Sequence, residues 1–596
     1  MRSEKPDSEL EDATSSSFAV RTTGWLLDVP KVLRFYLAKL RAGSRTRVIL
    51  TAIIFMLVTL QVTVAVNEKT LGQVIAEGRP NNKFEDAFPS PEEREDFRTP
   101  ASAFSLDDDD LSVNDPEALN VVLNDLEFSQ MNLATFVGNI DTVDTELSDA
   151  DGPTCADLRY HEMVGVSNKF DIGVNLKRVR ELVFEAGYEA LAEGEVSEKT
   201  LERKIKDHWF TFHASSVYLP EYGVHYVARR IIFSAESRSD RSTISFVVAQ
   251  LFDKAWNELT QFQFKSHAEG ESGLQTHLFP KVFPMDCVWG PGLYYEGAED
   301  PRVIVRHGSK GPEPIVVFNM KAKDLDNKRA MHALFPFQND RTILLKIEGR
   351  DARDTEKNWV PFFDAQSEDS KYPGGFIYFI YSFDPLEVIQ CDLSSGNCGV
   401  IFTGPNSDTG ALRGATNLVS IPGAKFADGR QAWVGFPRTR IVNCGCGDTT
   451  YRPNLMVFVK QGDQFIIDLI SGSIDFNLKV MPWDGVGESC SGRYSVLIPN
   501  SVDNWEITQY LGDNYFEDYM TVTFSEADRT SSVVQVKGLL NYIRRIPEAK
   551  TPHEDLVART AKSVQCAIGD AEDYCFKYGQ RYGGRILSED ELKWGE

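Results

Sequence analysis

Trp289-Gly-Pro-Gly-Leu-Tyr-Tyr-Glu296-Gly-Ala-Glu299-Asp300-Pro301-Arg302 sets three carboxylates, an arginine, a tryptophan and two tyrosines ahead of the run Val303-Ile-Val-Arg-His307. That run has the composition of a strand, and Gly308-Ser-Lys-Gly-Pro312 after it reads as a turn. Gly297 and Pro301 flank Glu299-Asp300 and predict a fixed turn rather than a helix. A turn of this kind holds two acids and an arginine at the end of a strand. A carboxylate there serves as general base or acid, and an arginine binds an anion. Trp289 beside it is a candidate stacking surface.

The same strand-and-turn pattern extends on both sides. Upstream, His225–Ser234 and Thr243–Phe252 read as strands. Val303–Arg306 and Ile315–Phe318 form a hairpin around Gly308–Pro314, and Thr342–Ile347 follows. Phe376–Tyr381 and Val388–Cys391 make a second hairpin, with Gly399–Thr403 after it. Further strands are expected at Ala432–Pro437, Leu455–Lys460, Gln464–Ile470, Tyr494–Ile498, Met520–Phe524 and Ser531–Val536. Short strands at this spacing indicate an all-β sandwich, barrel or propeller. Nothing after Trp209 alternates as strand and helix, and no phosphate-type glycine loop follows a strand, which argues against Rossmann-type architectures. Before the strands, Leu176–Ala192 has helical spacing, and Ser197 caps a second expected helix running through Leu201 and Ile205 to Trp209.

The N-terminal part has a different character. Residues 31–47 hold six basic residues (Lys31, Arg34, Lys39, Arg41, Arg45 and Arg47) and no acid, and the 19 residues 48–66 carry no charge. A spanning helix needs about 17–25 such residues, and the basic flank belongs in the cytosol. More than forty residues precede the apolar run, unlike a cleaved signal peptide. The reading is a cytoplasmic tail (1–47), a type II signal-anchor (48–66) and everything beyond it luminal. The short span, with Thr51, Thr59, Gln61 and Thr63 inside it, suits the thin membranes of the Golgi or another secretory compartment.

Charge is concentrated behind the anchor. Between Asn67 and Thr154 there are 21 Asp and Glu against 5 Lys and Arg, so this stretch supplies −16 of the net −25. Such a segment cannot bury enough apolar surface to order itself, and 67–154 reads as a stem. Asp107–Asp110 within it reads as solvated linker rather than a metal site. A luminal domain follows at 155–545, its β part beginning near 210, with a C-terminal extension at 546–596. There is no basic stripe, so nucleic acid is not an expected partner.

All nine cysteines fall after the anchor, where an oxidising lumen permits disulfides. Cys391 and Cys398 flank a turn, Cys566 and Cys575 form a second local candidate, and the odd count leaves one thiol over. Cys444-Gly-Cys446 lacks the second pair that a zinc site needs. No Asn-x-Ser/Thr triplet occurs, so no N-glycan is expected.

Several segments carry a family resemblance when taken in order: Glu299-Asp-Pro-Arg302, Ala333-Leu-Phe-Pro336, Asp340-Arg341, Lys357-Asn-Trp-Val-Pro-Phe-Phe363, Leu412-Arg-Gly-Ala-Thr-Asn-Leu418, Trp433-Val-Gly-Phe-Pro-Arg438, Cys444-Gly-Cys-Gly447 and Tyr451-Arg-Pro-Asn454. They resemble the fungal β-1,2-mannosyltransferases of cell-wall mannan and, more distantly, the β-mannoside phosphorylases, which are five-bladed β-propellers. The resemblance covers about residues 200–540. It implies an all-β five-bladed propeller that transfers mannose from GDP-mannose to a mannan or mannoside acceptor. Making a β product from an α-linked donor is an inversion. One carboxylate then takes the acceptor proton, and cations stabilise the departing diphosphate.

By position in the shared motifs, the resemblance implies that Asp300 is the general base and that Glu299 orients a sugar hydroxyl or Arg302. Arg302 pairs within the turn or touches substrate. Arg341, Lys357, Arg413, Arg438 and Arg452 are the candidate cations for the diphosphate, arginine being the better phosphate fork. Asn358 belongs to the same candidate donor site, and Trp359 and Tyr451 are candidate stacking surfaces. Arg438 stands roughly where the phosphorylases place a histidine. Asp324-Leu-Asp326 has the Asp-x-Asp form of a metal motif but lies among lysines. The expected mechanism is therefore metal-independent, without a cofactor. Two rival functions share the fold: a β-mannoside phosphorylase or hydrolase, and a non-catalytic mannan-binding protein.

Overall fold

The computed structural model of the chain describes residues 104–105, 126–138, 154–191, 198–267, 274–290, 292–308, 311–364, 375–405, 410–414, 416–426, 430–512, 515–546 and 556–586. All belong to one unit, Thr99–Glu596. The apolar run 48–66, its basic flank and most of the acidic stretch lie outside the described residues. Among the described residues, no helix is long and apolar enough to cross a membrane.

Apolar residues fill successive positions of the inner strands, such as Val224–Phe233, Ile244–Phe252 and Gly311–Ala322, so both faces of the sheets are buried there. Three antiparallel sheets follow one another along the chain. The first runs, in both spatial and chain order, through Trp209–Leu219, Val224–Phe233, Ile244–Phe252 and Lys281–Val282, with Glu296–Gly297 added parallel to Ile244–Phe252. The second is Glu299–Gly308, Gly311–Ala322, Lys328–Phe335 and Arg341–Leu344. The third is Val360–Phe362, Phe376–Phe383, Leu386–Asp392 and Asn397–Thr403, with Lys346–Ile347 parallel on its outer edge. Phe104–Ser105 with Lys425–Phe426 and Phe262–His267 with Leu274–Phe279 form two separate two-stranded sheets, and the remaining strands join one 14-stranded sheet.

Each sheet packs its two faces against two neighbours. Val303, Val316, Phe318 and Leu334 of the second sheet meet Val217, Tyr226 and Val247 of the first. Ile304, Val317, Ala333 and Phe335, on the opposite face, meet Trp359, Phe379 and Ile389. Phe362, Tyr378 and Val388 then meet Trp433, Phe458 and Ile467. Ala214, Val227 and Phe252 of the first sheet pack on Val533 near the end of the β region. Each fully buried aliphatic or aromatic side chain is worth about 1.5–3 kcal/mol, and these layers order the first strand of each sheet toward a common centre. Glu299–Gly308 there touches Trp209–Leu219, Val360–Phe362 and Tyr494–Gly512.

Several expectations need correction. The stem does not run unbroken to residue 154: Phe128–Val137 is a strand paired with Arg159–Ser167 and with Gln464–Ser471. Its Met131, Leu133, Phe136 and Val137 are buried, enough apolar surface to offset the acidic surroundings. The helix expected to reach Trp209 stops at His208, and Trp209 opens a strand at once. The first expected helix is regular only over Leu176–Val183 and then widens through Phe184–Tyr188, where Gly187 has φ 98°.

Cys391 and Cys398 are bonded as expected, but Cys566 and Cys575 are not bonded to each other. Both sit on the helix Leu556–Arg581, where nine residues of rise separate them by about 14 Å, far beyond disulfide reach. Instead Cys155–Cys566 and Cys444–Cys575 tie that helix to the sheets, and Cys446 bonds Cys490. Cys287 is the thiol left over.

Candidate active site

The turn expected at Glu299-Asp300 is instead an irregularity inside the strand Glu299–Gly308, and its backbone builds it. Gly297 has φ 75°, and a Cβ there would lie 2.1 Å from the Ser245 carbonyl oxygen, so only glycine fits against the neighbouring strand. Ala298 N–H then donates to that carbonyl at 3.1 Å. Asp300 has φ 51°, and the pairing register with Gly311–Ala322 slips between Glu299 and Arg302. A β-bulge therefore carries Asp300 and Pro301, where the missing proline N–H costs no ladder bond. The bulge re-aims Asp300 while leaving Glu299 and Arg302 buried.

Arg230, from the middle of the Val224–Phe233 strand, joins the two acids. It donates to Glu299 at 2.9 Å, to Asp300 at 3.2 Å and to Ser245 Oγ at 3.1 Å. Glu299 also accepts from Asn319 at 3.0 Å and Arg329 at 3.1 Å. Glu299 thereby holds Arg230 and Arg329 in place. Asp300 differs: it is recessed among protein groups yet its side chain is 29 % exposed.

Charge around Asp300 is mostly positive. Enclosure on its own would raise its proton affinity, but Arg230, His213, Arg302 and Lys357 outweigh it and hold the carboxyl well below the usual range. Arg302 is 2 % exposed, and burial together with nearby Arg438 lowers it to about 10. Arg438 is lowered by burial, with Asp300, Tyr451 and Asp528 pulling the other way. It donates to the Gly414 carbonyl at 3.0 Å and to Asn358 Oδ1 at 2.9 Å. Asn358 takes φ 65°, and a Cβ on Gly414 would sit 2.5 Å from its carbonyl. Burial, reinforced by Arg302, Arg438 and Arg230 and opposed by Asp300, pushes His213 down to about 3, so near neutral pH it is uncharged and the three cations Arg230, Arg302 and Lys357 alone hold Asp300 ionised. Its Nε2 is buried with no hydrogen-bond partner among the described residues.

The fold thus gathers Glu299, Asp300, Arg302, Lys357, Asn358 and Arg438 from three sequence-distant segments. Tyr451 lies alongside, its ring 6.0 Å from the Arg438 guanidinium carbon, and Arg413 pairs with Arg438 across adjacent strands. The Arg413 guanidinium itself turns back to the Leu412 carbonyl at 2.8 Å. Four expected site residues are elsewhere. Arg452 is opposite Thr439 in the ladder, so it projects from the face opposite to Arg438. There it is 1 % exposed between the rings of Tyr574 and Tyr578. Arg341 is on the outer strand of its sheet, over Phe335 and bonded to the Leu393 carbonyl at 3.2 Å. Trp359 is core, edge-on to Phe379 and Tyr381, with its N–H on Glu356. Trp289 packs by Tyr188 at 6.4 Å.

Three members of the cluster escape sequence reasoning. Arg230 carried one signal, a charged residue inside a strand otherwise built for burial. His213 and Asp528 carried none. Enclosure, then the negative charge of Asp300, pushes Asp528 up to about 7, against Arg230 and Arg438. Among the described residues, no group of three or more His, Cys, Asp or Glu is placed to hold a metal. Asp324 and Asp326 are exposed on the short turn after Gly311–Ala322.

Residues 154–339 and 336–574 match the family model described as beta-mannosyltransferases. The chain is 40 % identical over 485 residues to beta-mannosyltransferase 1 of Komagataella phaffii, covering 77 % of this chain and 72 % of that protein. It is 36 % identical over 426 residues to beta-mannosyltransferase 3 of Candida albicans, covering 67 % and 70 %. A solved structure from work on the GH130 family of mannoside phosphorylases is similar at a TM-score of 0.32 and 11 % identity, over 55 % of this chain and 84 % of that one.

Proposed function

This chain belongs to the beta-mannosyltransferase family, and on that premise we propose that it takes mannose from GDP-mannose and delivers it with inversion to a mannan or mannoside acceptor, making a β-1,2 linkage in the fungal cell wall. Transfer of a β-mannosyl group is the family's activity; the donor, the linkage and the acceptor are our reading. The observation that carries it is the recess in which Arg230, Arg302, Lys357 and Arg438 surround the ionised Asp300. Inversion from a nucleotide sugar expels a diphosphate. Preorganised cations in a partly enclosed site stabilise that charge as it forms, without needing a metal ion. Asp300 is ionised at neutral pH and suited to face the positive charge growing at the anomeric carbon. The same cations make it a reluctant proton acceptor, since a base works best with a pKa near the working pH.

We read the 14-stranded sheet as two further blades, completing a five-bladed propeller with the three separate sheets around this centre. The chain is tethered by 48–66 with the β region in the lumen of the Golgi or another secretory compartment. Four disulfides among the described residues support an oxidising location.

The cations also suit free phosphate, so a phosphorylase is the competing reading. Full-length protein in detergent separates the two. GDP release that requires mannoside acceptor, with a new β-1,2 signal by NMR, supports transfer from GDP-mannose. Mannose 1-phosphate formed from β-mannoside and phosphate, without GDP-mannose use, overturns it.

A further inference from the structure

Resting on the proposed donor, we propose that Asp528 is a further catalytic residue, the base that takes the proton of the attacking acceptor hydroxyl. The acceptor O–H bond breaks with its proton passing to an Asp528 carboxylate oxygen. The freed electron pair forms the bond from oxygen to the anomeric carbon. The bond from that carbon to the donor phosphate breaks, and its electron pair leaves on the diphosphate, facing the arginines. Asp300 stays ionised throughout.

The geometry comes from a hairpin. Tyr515–Glu526 and Thr530–Lys537 pair up to Glu526 and Thr530, leaving Ala527-Asp528-Arg529 as the turn. Ala527 has φ 55°, and Asp528 N–H donates to the Trp483 carbonyl at 2.7 Å, so the turn has a fixed shape. Serines on either side pin it to the centre of the molecule. Ser525 Oγ accepts from His213 N–H at 3.0 Å, and Ser531 Oγ accepts from Ala214 N–H at 3.3 Å. Asn500 Nδ2 braces the same corner through the Ala214 carbonyl and Ser525, both at 3.1 Å. His213 itself sits in a register slip of its strand between Phe212 and Ala214. The turn is therefore clamped to the bulge beside the charged recess.

The Asp528 side chain has no hydrogen-bond or ion-pair partner among the described residues, and the residue is half-buried. The charged groups that face it are Asp300, Arg230 and Arg438, from three different strands, with Arg529 next in the turn. A carboxylate without an internal partner, next to an ionised one held by arginine, has its oxygens free for an incoming hydroxyl. Its proton affinity near neutrality suits the task, in contrast to Asp300. Two carboxylates whose surroundings drive their proton affinities apart divide the roles between them.

The test is the pH dependence of transfer by the full-length protein from GDP-mannose to a mannoside acceptor. Wild type is expected to gain kcat with rising pH through about 7, as Asp528 loses its proton. Asp528→Asn is expected to lose a hundred-fold or more in kcat and to lose that limb, with GDP affinity by calorimetry within threefold of wild type. Asp528→Glu keeps a carboxylate and should restore part of the rate with a displaced limb, which separates proton transfer from misfolding. If Asp528→Asn keeps the limb and most of its kcat, Asp528 is not the base, while the proposed transfer stands. A wild type inert with GDP-mannose overturns the donor reading and this assignment together.

Discussion

Arg230 and Asp300 are 70 residues apart in the chain and meet across 3.2 Å, each from a different sheet. The bidentate reach of Arg230, with Glu299 on its other nitrogen at 2.9 Å, makes the acidic turn and the first sheet one electrostatic unit. Removing its charge has a direction. Arg230→Gln raises the proton affinity of both Asp300 and Asp528, since the arginine lowers each. The acid side of the kcat profile should move to higher pH, and steady-state rates from pH 5 to 9 would show it. An unmoved profile would mean that Arg230 does not couple to the reacting groups.

Glu299 and Asp300 should separate stability from rate. Glu299 is buried with three donors on it, and Glu299→Gln forfeits charge-assisted bonds worth about 1.5–3 kcal/mol each. The melting temperature should fall by several degrees. Asp300→Asn, at a partly exposed side chain, should melt within a few degrees of wild type but lose roughly a hundred- to ten-thousand-fold in kcat. Calorimetry and kinetics on the two variants check the contrast.

Gly297→Ala should destabilise the whole turn. The added methyl would fall 2.1 Å from the Ser245 carbonyl oxygen in a left-handed backbone conformation. The cost is about 1–3 kcal/mol for the strain alone, with the displacement of the acidic turn on top. Chemical denaturation should show a lower midpoint, and activity should drop more steeply than the folded fraction.

Arg341 and Arg438 should behave oppositely. Arg341 is used up on the Leu393 carbonyl and the Phe335 ring, so Arg341→Ala should leave the KM for the donor within twofold and lower the melting temperature. Arg438→Ala removes a buried cation beside Asp300 and should raise the donor KM ten- to a hundred-fold, about 1.5–3 kcal/mol. Donor titrations decide it, and equal effects would place the anion site elsewhere.

The C-terminal helix should depend on its two long-range disulfides. Cys155–Cys566 closes a separation of 411 residues and Cys444–Cys575 one of 131. Replacing Cys155 and Cys444 by serine should cost about 2–5 kcal/mol per bridge. Limited proteolysis should then release the helix before the β region is cut.

Strand positions, turns and the charge pattern were legible in the sequence because each rests on neighbours a few residues away. Glycine and proline around Glu299-Asp300 announced a break in regular structure, which proved to be a bulge within a strand rather than a turn, and Cys391 and Cys398 announced a bridged hairpin. Short apolar runs and turn spacing marked a mainly β chain, and the ordered motifs pointed to the family that the comparisons then showed. The cations of a buried anion site were harder to read. A motif names a residue without naming the face it projects from, so Arg438 and Arg452 looked equivalent.

Tertiary structure alone decided the face. Antiparallel pairing of Arg438–Val442 with Thr449–Pro453 sets Thr439 against Arg452, which sends Arg452 to Tyr574 and Tyr578 and leaves Arg438 beside Asp300. It also brought Arg230, His213 and Asp528 to the same recess from strands and a hairpin turn that carry no local signature. It paired Cys155 with Cys566 where local spacing had suggested Cys575. The physical reason is common to all of these. Short-range sterics set turns and strands, whereas register, facing and the convergence of charge come from packing sheets whose strands are hundreds of residues apart.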